Sequence, residues 1–116
     1  MNTATTATQN VLMHHLTAFG ENNLDEILLD YSEESLILTD QGKIQGLNNI
    51  RQLFEAMFRL IPSGATFEMK SLTISDCVAQ IIWSSQSSTA EIPFGSDTFL
   101  IEDEKIKVHT IATLLV

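Results

Sequence analysis

The sequence predicts an α+β domain in which helices pack on one face of a mostly antiparallel sheet. Apolar residues recur at helical spacing in separate stretches of the first half of the chain. From Ala65 to Val116 the chain reads almost entirely as strands joined by short turns. Helices first and strands afterwards is the order of α+β domains rather than of alternating βαβ units. With 116 residues, of which 44% are apolar, the chain fits one domain, residues 1–116, with an ordinary core.

The elements follow in order. Residues 8–20 carry Val11, Leu12, Leu16 and Phe19 on one side of a helix, with His15 among them, and Gly20 marks its stop. Asn23 caps a short second helix that runs to near Tyr31, with Glu26 placed to reach back toward the cap. Ser35 to Thr39 forms a strand, Asp40-Gln41-Gly42 a turn and Lys43 to Gln45 a return strand. Gly46 then leads into a strong amphipathic helix on Leu47, Ile50, Phe54, Met57, Phe58 and Ile61, which Pro62-Ser63-Gly64 ends. Four long strands complete the chain at about 66–75, 78–87, 90–102 and 105–115. The last turn, Asp103-Glu104, lacks the glycine usual in two-residue hairpins.

Composition excludes several function classes. The formal net charge is −9, and the six Lys and Arg residues are scattered. Nucleic-acid binding draws its affinity from clustered cations, so neither nucleic acid nor an anionic membrane is an expected partner. No apolar run approaches the roughly 20 residues of a membrane-spanning helix. The N-terminus does not read as a secretory signal, and a cytoplasmic location is the expectation. One cysteine, Cys77, has no partner for an internal disulfide and no basic neighbour to activate it. The three histidines fall at 14, 15 and 109, and adjacent helix positions diverge by roughly 100 degrees, so no metal centre is expected. No phosphate-binding glycine loop or serine-triad spacing is present, and no cofactor is expected.

Three segments carry a family resemblance. Asp30-Tyr31-Ser32-Glu33-Glu34-Ser35-Leu36-Ile37 resembles the tyrosine–acidic–acidic–apolar lead into the first strand of SnoaL-like and ketosteroid-isomerase-like domains. Gly46 to Phe54 resembles their glycine-led long helix, and Ser96 to Ile106 their final hairpin. The segments occur in the family's order and spacing and span essentially the whole chain. The resemblance implies the nuclear-transport-factor-2-like fold, also called cystatin-like: a cone made by a strongly curved, mostly antiparallel sheet packed on three N-terminal helices. It also implies a pocket inside the cone and a homodimer through the sheet's helix-free face, where Ile81, Ile82, Trp83, Thr113 and Leu115 are expected. The superfamily's functions are mixed, so the fold does not fix the activity.

The resemblance places Asp97 where ketosteroid isomerases hold a protonated aspartic acid that donates to a developing oxyanion. A carboxylic acid kept neutral by an apolar site can do this. Asp97 lies between Phe94 and Phe99 on a strand that alternates toward the interior. The alternative is a turn cap or a partner of Arg51 or Arg59. His15 takes the place of the isomerases' oxyanion tyrosine, or is a core histidine bonded to a backbone carbonyl or an acid. Its neighbour His14 is expected to be exposed. The isomerases' general base falls here near Thr39, which cannot accept a proton usefully, and Asp40 points to the other face one residue on. That gap speaks against steroid isomerisation. Strict pairing across Asp103-Glu104 sets Thr110 opposite Asp97 and turns His109 away, whereas the family alignment sets His109 inside, which a bulge would achieve. Tyr31, Phe54, Phe58 and Phe99 are the expected apolar lining, or plain core. Trp83 lines the pocket or lies on the outer face.

The functional expectation is a pocket for a small apolar molecule, extended to isomerase-, cyclase- or lyase-type acid–base chemistry by Asp97 with His15 or His109. The alternative is a non-enzymatic module for dimerisation or ligand binding, in which large side chains fill the cone.

Overall fold

The computed structural model describes residues 3–116. The element order is α1 (Thr3–Gly20), α2 (Leu24–Leu28), β1 (Leu36–Thr39), β2 (Gly42–Gln45), α3 (Leu47–Leu60), β3 (Thr66–Ser75), β4 (Val78–Gln86), β5 (Glu91–Glu102) and β6 (Lys105–Leu114). The six strands form one open sheet in the order β2-β1-β6-β5-β4-β3. All neighbours are antiparallel except β1 and β6, which run parallel. The helices cover one face, with α1 against β3, β4 and β5.

α1 begins five residues earlier than the apolar stripe indicates, taking in the Thr/Ala-rich start. Thr8 is buried there, and its hydroxyl donates to the Asp76 carbonyl at 2.6 Å, which ties the helix to the β3–β4 turn. Asn23 caps α2 as expected, accepting from the Glu26 N–H at 3.2 Å. The Glu26 side chain does not close the capping box; it binds His14 instead. α2 stops at Leu28, short of Tyr31. Gly46 adopts φ 90°, a conformation that favours glycine. Having no side chain, it leaves the first turn of α3 uncapped, and Glu33 Oε1 takes the Leu47 N–H at 2.9 Å from across the loop.

Two irregularities set which residues face the helices. β4 alternates regularly, with Ala79, Ile81, Trp83 and Ser85 buried. In β5 the pairing with β4 slips between Trp83 and Ser85, so Ile92 and then Gly95, Asp97, Phe99 and Ile101 are buried while Phe94 is exposed. In β6 the pairing slips again: Ile101 faces Ile106 but Leu100 faces Val108, which leaves Lys107 as the extra residue. That one residue turns His109 inward, opposite Phe99, and sets Ile111 rather than Thr110 opposite Asp97. The Asp103-Glu104 turn has both residues at positive φ, 54° and 60°, the requirement of a type I′ hairpin loop met without glycine.

The helix-free face differs from expectation. Ile81 and Trp83 are buried on the helix-covered face, and Thr113 and Leu115 line a pocket beside α3. Of the five residues expected outside, Ile82 is the one that alternation sends there, because β4 has no bulge between Ala79 and Trp83. No helix among the described residues is long and apolar enough to cross a membrane.

Candidate functional site

α1, the loop after α2, and strands β4, β5 and β6 bring five hydrogen-bonding side chains together. Asp97 and His109, on adjacent strands, are joined at 2.8 Å between Oδ2 and Nε2. The other carboxylate oxygen, Oδ1, accepts from Trp83 Nε1–H at 2.9 Å. His109 Nδ1 meets the Tyr31 hydroxyl at 2.8 Å. All four are buried, His109 with 1% and Asp97 with 6% of its surface exposed. Arg51 lies elsewhere, beside Asp25.

Trp83 is a donor only, so Asp97 Oδ1 accepts. With a neutral His109 the rest of the row fills in one of two ways. His109 Nε2–H donates to Asp97 and the Tyr31 hydroxyl donates to Nδ1; or Asp97 donates to Nε2 and Nδ1–H donates to Tyr31. Tyr31 keeps its hydroxyl proton in both, so the second filling carries one proton more than the first. The hydrogen bond at each ring nitrogen selects the His109 tautomer.

His15, from α1, closes the site from the helix side. It packs edge-on to His109, Phe99, Phe54 and Tyr31, at centroid distances from 5.4 to 5.9 Å. Its Nδ1 is buried without a hydrogen-bond partner. That overturns the expectation of a core histidine satisfied by a carbonyl or an acid. Burial, reinforced by His109 and His14, holds its pKa well below the ordinary imidazole value, so His15 is neutral. Tyr31 is pushed well above its ordinary value by burial and by the Asp97 and Asp30 carboxylates, so its hydroxyl keeps its proton.

A cavity of about 20 Å³ lies against this row, lined on its polar side by His15, Asp97 and His109 and on its apolar side by Phe54, Phe67 and Trp83, among others. A cavity needs roughly 10–15 Å³ to hold one water, so this one holds a water-sized group and no more. Of the residues expected to line a pocket, Phe54 and Trp83 reach the cavity. Tyr31 and Phe99 are buried outside its lining, Phe99 stacked on His109 at 4.2 Å. Phe58 is half-buried against Phe19 and Phe54. Leu16, Phe19 and Met57, which lie on helical stripes visible in the sequence, complete the lining with Ile81 of β4. Thr39 and Asp40 line a separate pocket between the β1–β2 turn and α3. Among the described residues no group of His, Cys, Asp and Glu gathers to hold a metal.

His14 departs from the expected exposed histidine. Its Nδ1 lies 2.7 Å from Asp30 Oδ2 and its Nε2 2.9 Å from Glu26 Oε1. These bonds raise its pKa, the Glu26 contact most. Asp30 is also raised, because its burial outweighs the attraction of His14.

The comparisons with known proteins agree on the architecture. A nuclear-transport-factor-2-like protein of unknown function from Mesorhizobium loti superimposes with a TM-score of 0.83 at 16% identity, over 98% of this chain and 96% of that one. The fold is nuclear-transport-factor-2-like. A protein from Kribbella flavida, provisionally described as a ketosteroid isomerase, matches with a TM-score of 0.79 at 12% identity over 95% of this chain and 79% of its own. An epoxide hydrolase from M. tuberculosis matches with a TM-score of 0.73 at 11% identity over 95% and 84%. No protein-family model matches the chain, and no curated protein matches its sequence. Identities this low establish this fold and leave the activity to the site.

Proposed function

We propose that this nuclear-transport-factor-2-like domain binds a small apolar molecule and performs acid–base chemistry on it, with Asp97 and His109 as the proton-transfer pair. The observation that carries the reading is the buried Trp83–Asp97–His109–Tyr31 row beside a cavity, with the unpartnered Nδ1 of His15 in the same cluster. β1 offers no carboxylate to this cavity, so the base is Asp97, which lines it and keeps lone pairs beyond those taken by Trp83 and His109, with His109 holding it in place. His15, being neutral, supplies a hydrogen bond to a ligand oxygen, and Phe54 and Phe67 supply apolar wall. Deuterium exchange at the α-carbon of cyclohexanone in heavy water tests this. The wild type is expected to accelerate exchange, and Asp97→Asn and His109→Gln to lose about 10²–10⁴-fold of that acceleration, the usual scale of general acid–base catalysis. A folded Asp97→Asn variant that exchanges the ketone as fast as the wild type would remove the pair from any chemistry.

One observation favours a second reading, a non-enzymatic dimerisation module: buried aromatic side chains leave only a water-sized cavity at Asp97 and His109. The helix-free face carries the half-buried Ile82, Leu100 and Val108 in adjacent strands, with Ser96, Thr98 and Thr110 around them. Both readings expect a homodimer through this face. Sedimentation should show a dimer that Ile82→Glu dissociates; a monomeric wild type at micromolar concentration contradicts the dimer.

A further inference from the structure

We infer that Trp83 is the specificity-determining residue of the site, a plug that divides the space under the helices into two chambers and sets the size of ligand that can reach Asp97 and His109. The inference rests on the ligand-binding reading above.

Trp83 and Met57 are shared by two cavities. On one side lies the water-sized cavity at His15, Asp97 and His109. On the other lies a pocket of about 220 Å³ lined mainly by apolar residues, among them Leu53, Leu60, Ile92 and Ile111. An apolar cavity of about 150 Å³ suffices to bind benzene, so the outer chamber has room for a one- or two-ring molecule and the inner one has none.

Three features seat the indole. Its N–H is held by Asp97 Oδ1. Its face stacks on Phe67 at 5.2 Å and 19°. Its six-membered ring lies over Gly95, the residue paired with it on β5. A Cβ at position 95 would come within 2.2 Å of Trp83 Cε2, so the seat exists because residue 95 has no side chain. The two outer supports are yielding: Phe67 is 40% exposed on the edge strand β3, and Met57 is a flexible thioether. Moving the indole would join the chambers, and it would also free Asp97 Oδ1 from its one donor. Admission of a ligand and release of an acceptor at the dyad are then one event. The ligand class this fits is an apolar ring system carrying a single oxygen at one end, rings in the outer chamber and oxygen toward His15 and His109.

Trp83 is the sole tryptophan, so its indole N–H resonance reports the seat directly. The test titrates 2-naphthol into the wild type, Gly95→Ala and Trp83→Phe. Gly95→Ala unseats the indole; Trp83→Phe shrinks the plug and covers the case in which Gly95→Ala does not fold. In the wild type, naphthol should shift the indole N–H and speed its solvent exchange. Either variant should bind naphthol about tenfold more tightly, because a ligand that needs a minor conformer loses affinity by that conformer's fraction. Binding that leaves the indole resonance unmoved and the variant affinities equal to wild type would overturn the inference, as would no binding to any of the three. A shifted indole together with ketone exchange that Asp97→Asn leaves intact would keep the plug and remove the acid–base reading.

Discussion

His14 and His15 are consecutive residues on one helix and live in opposite surroundings. His14 sits at the edge of α1 with a carboxylate at each ring nitrogen, and it clamps α1 to α2 and to the loop after it. His15, one step round, faces four aromatic or imidazole rings and has no partner for Nδ1. The first arrangement stabilises a charge; the second opposes one. A helix needs clamps, whereas an unpaired buried nitrogen costs about 1–3 kcal/mol and adds nothing to folding.

The largest expected effect separates the two sides of α1 by burial alone. Phe54 is 1% exposed beneath His15, and Phe54→Ala should cost about 3–5 kcal/mol in urea unfolding. Met13, beside His14 on the open side, is 47% exposed, and Met13→Ala should stay within about 0.5 kcal/mol. Equal midpoints for the two variants would erase the distinction.

A smaller effect has the opposite sign. His15→Leu removes the unpaired nitrogen and keeps apolar bulk, so the protein should gain about 1 kcal/mol, the lower end of the cost of an unsatisfied buried group. A loss of that size would mean that the ring does more for packing than its lone nitrogen costs.

The smallest effects are pH-dependent, and their signs differ. His14 is raised in the folded state, so its contribution is complete below pH 6.5 and disappears as pH rises through the folded pKa. His15 is lowered, so its contribution is complete above pH 6.5 and is lost as pH falls toward the folded pKa. Together they make stability highest near the ordinary imidazole value. His14→Ala should flatten the alkaline limb at a cost of about 0.2–1 kcal/mol below pH 6.5, the scale of exposed ion pairs. His15→Leu should flatten the acid limb. Chemical denaturation from pH 5 to 8 reads both, and a single monotonic slope in the wild type would contradict the opposed pair.

Most of the architecture was legible because period and turn chemistry are local. The stripe at Val11, Leu12, His15, Leu16 and Phe19, the helix from Leu47 and the four long strands lie within a few residues of their expected bounds. The burial of His15 followed from the same stripe. What was not legible depends on one-residue slips between strands. Phe94 turns outward and His109 inward because of bulges; Pro93 and Gly95 flank the first, whereas Lys107, the extra residue of the second, is an ordinary strand residue by type. Partners were equally hidden: Glu26 has the spacing of a capping box and spends its carboxylate on His14, while Glu33 caps a helix fourteen residues away. Trp83 was ambiguous because only its neighbour across the sheet, Gly95, explains how an indole fits there.

The coupled row of Trp83, Asp97, His109 and Tyr31 is the core of the proposed site, and the His109 tautomer tests it most directly. In the wild type at neutral pH, long-range proton–nitrogen NMR of the ring should find the proton on Nε2, donated to Asp97, with Nδ1 accepting from Tyr31. Asp97→Asn keeps an oxygen for Trp83 and turns an N–H₂ donor toward Nε2, so the proton should move to Nδ1 and the Tyr31 oxygen should become its acceptor. A His109 ring that carries its proton on the same nitrogen in both proteins would contradict the coupling of Asp97, His109 and Tyr31.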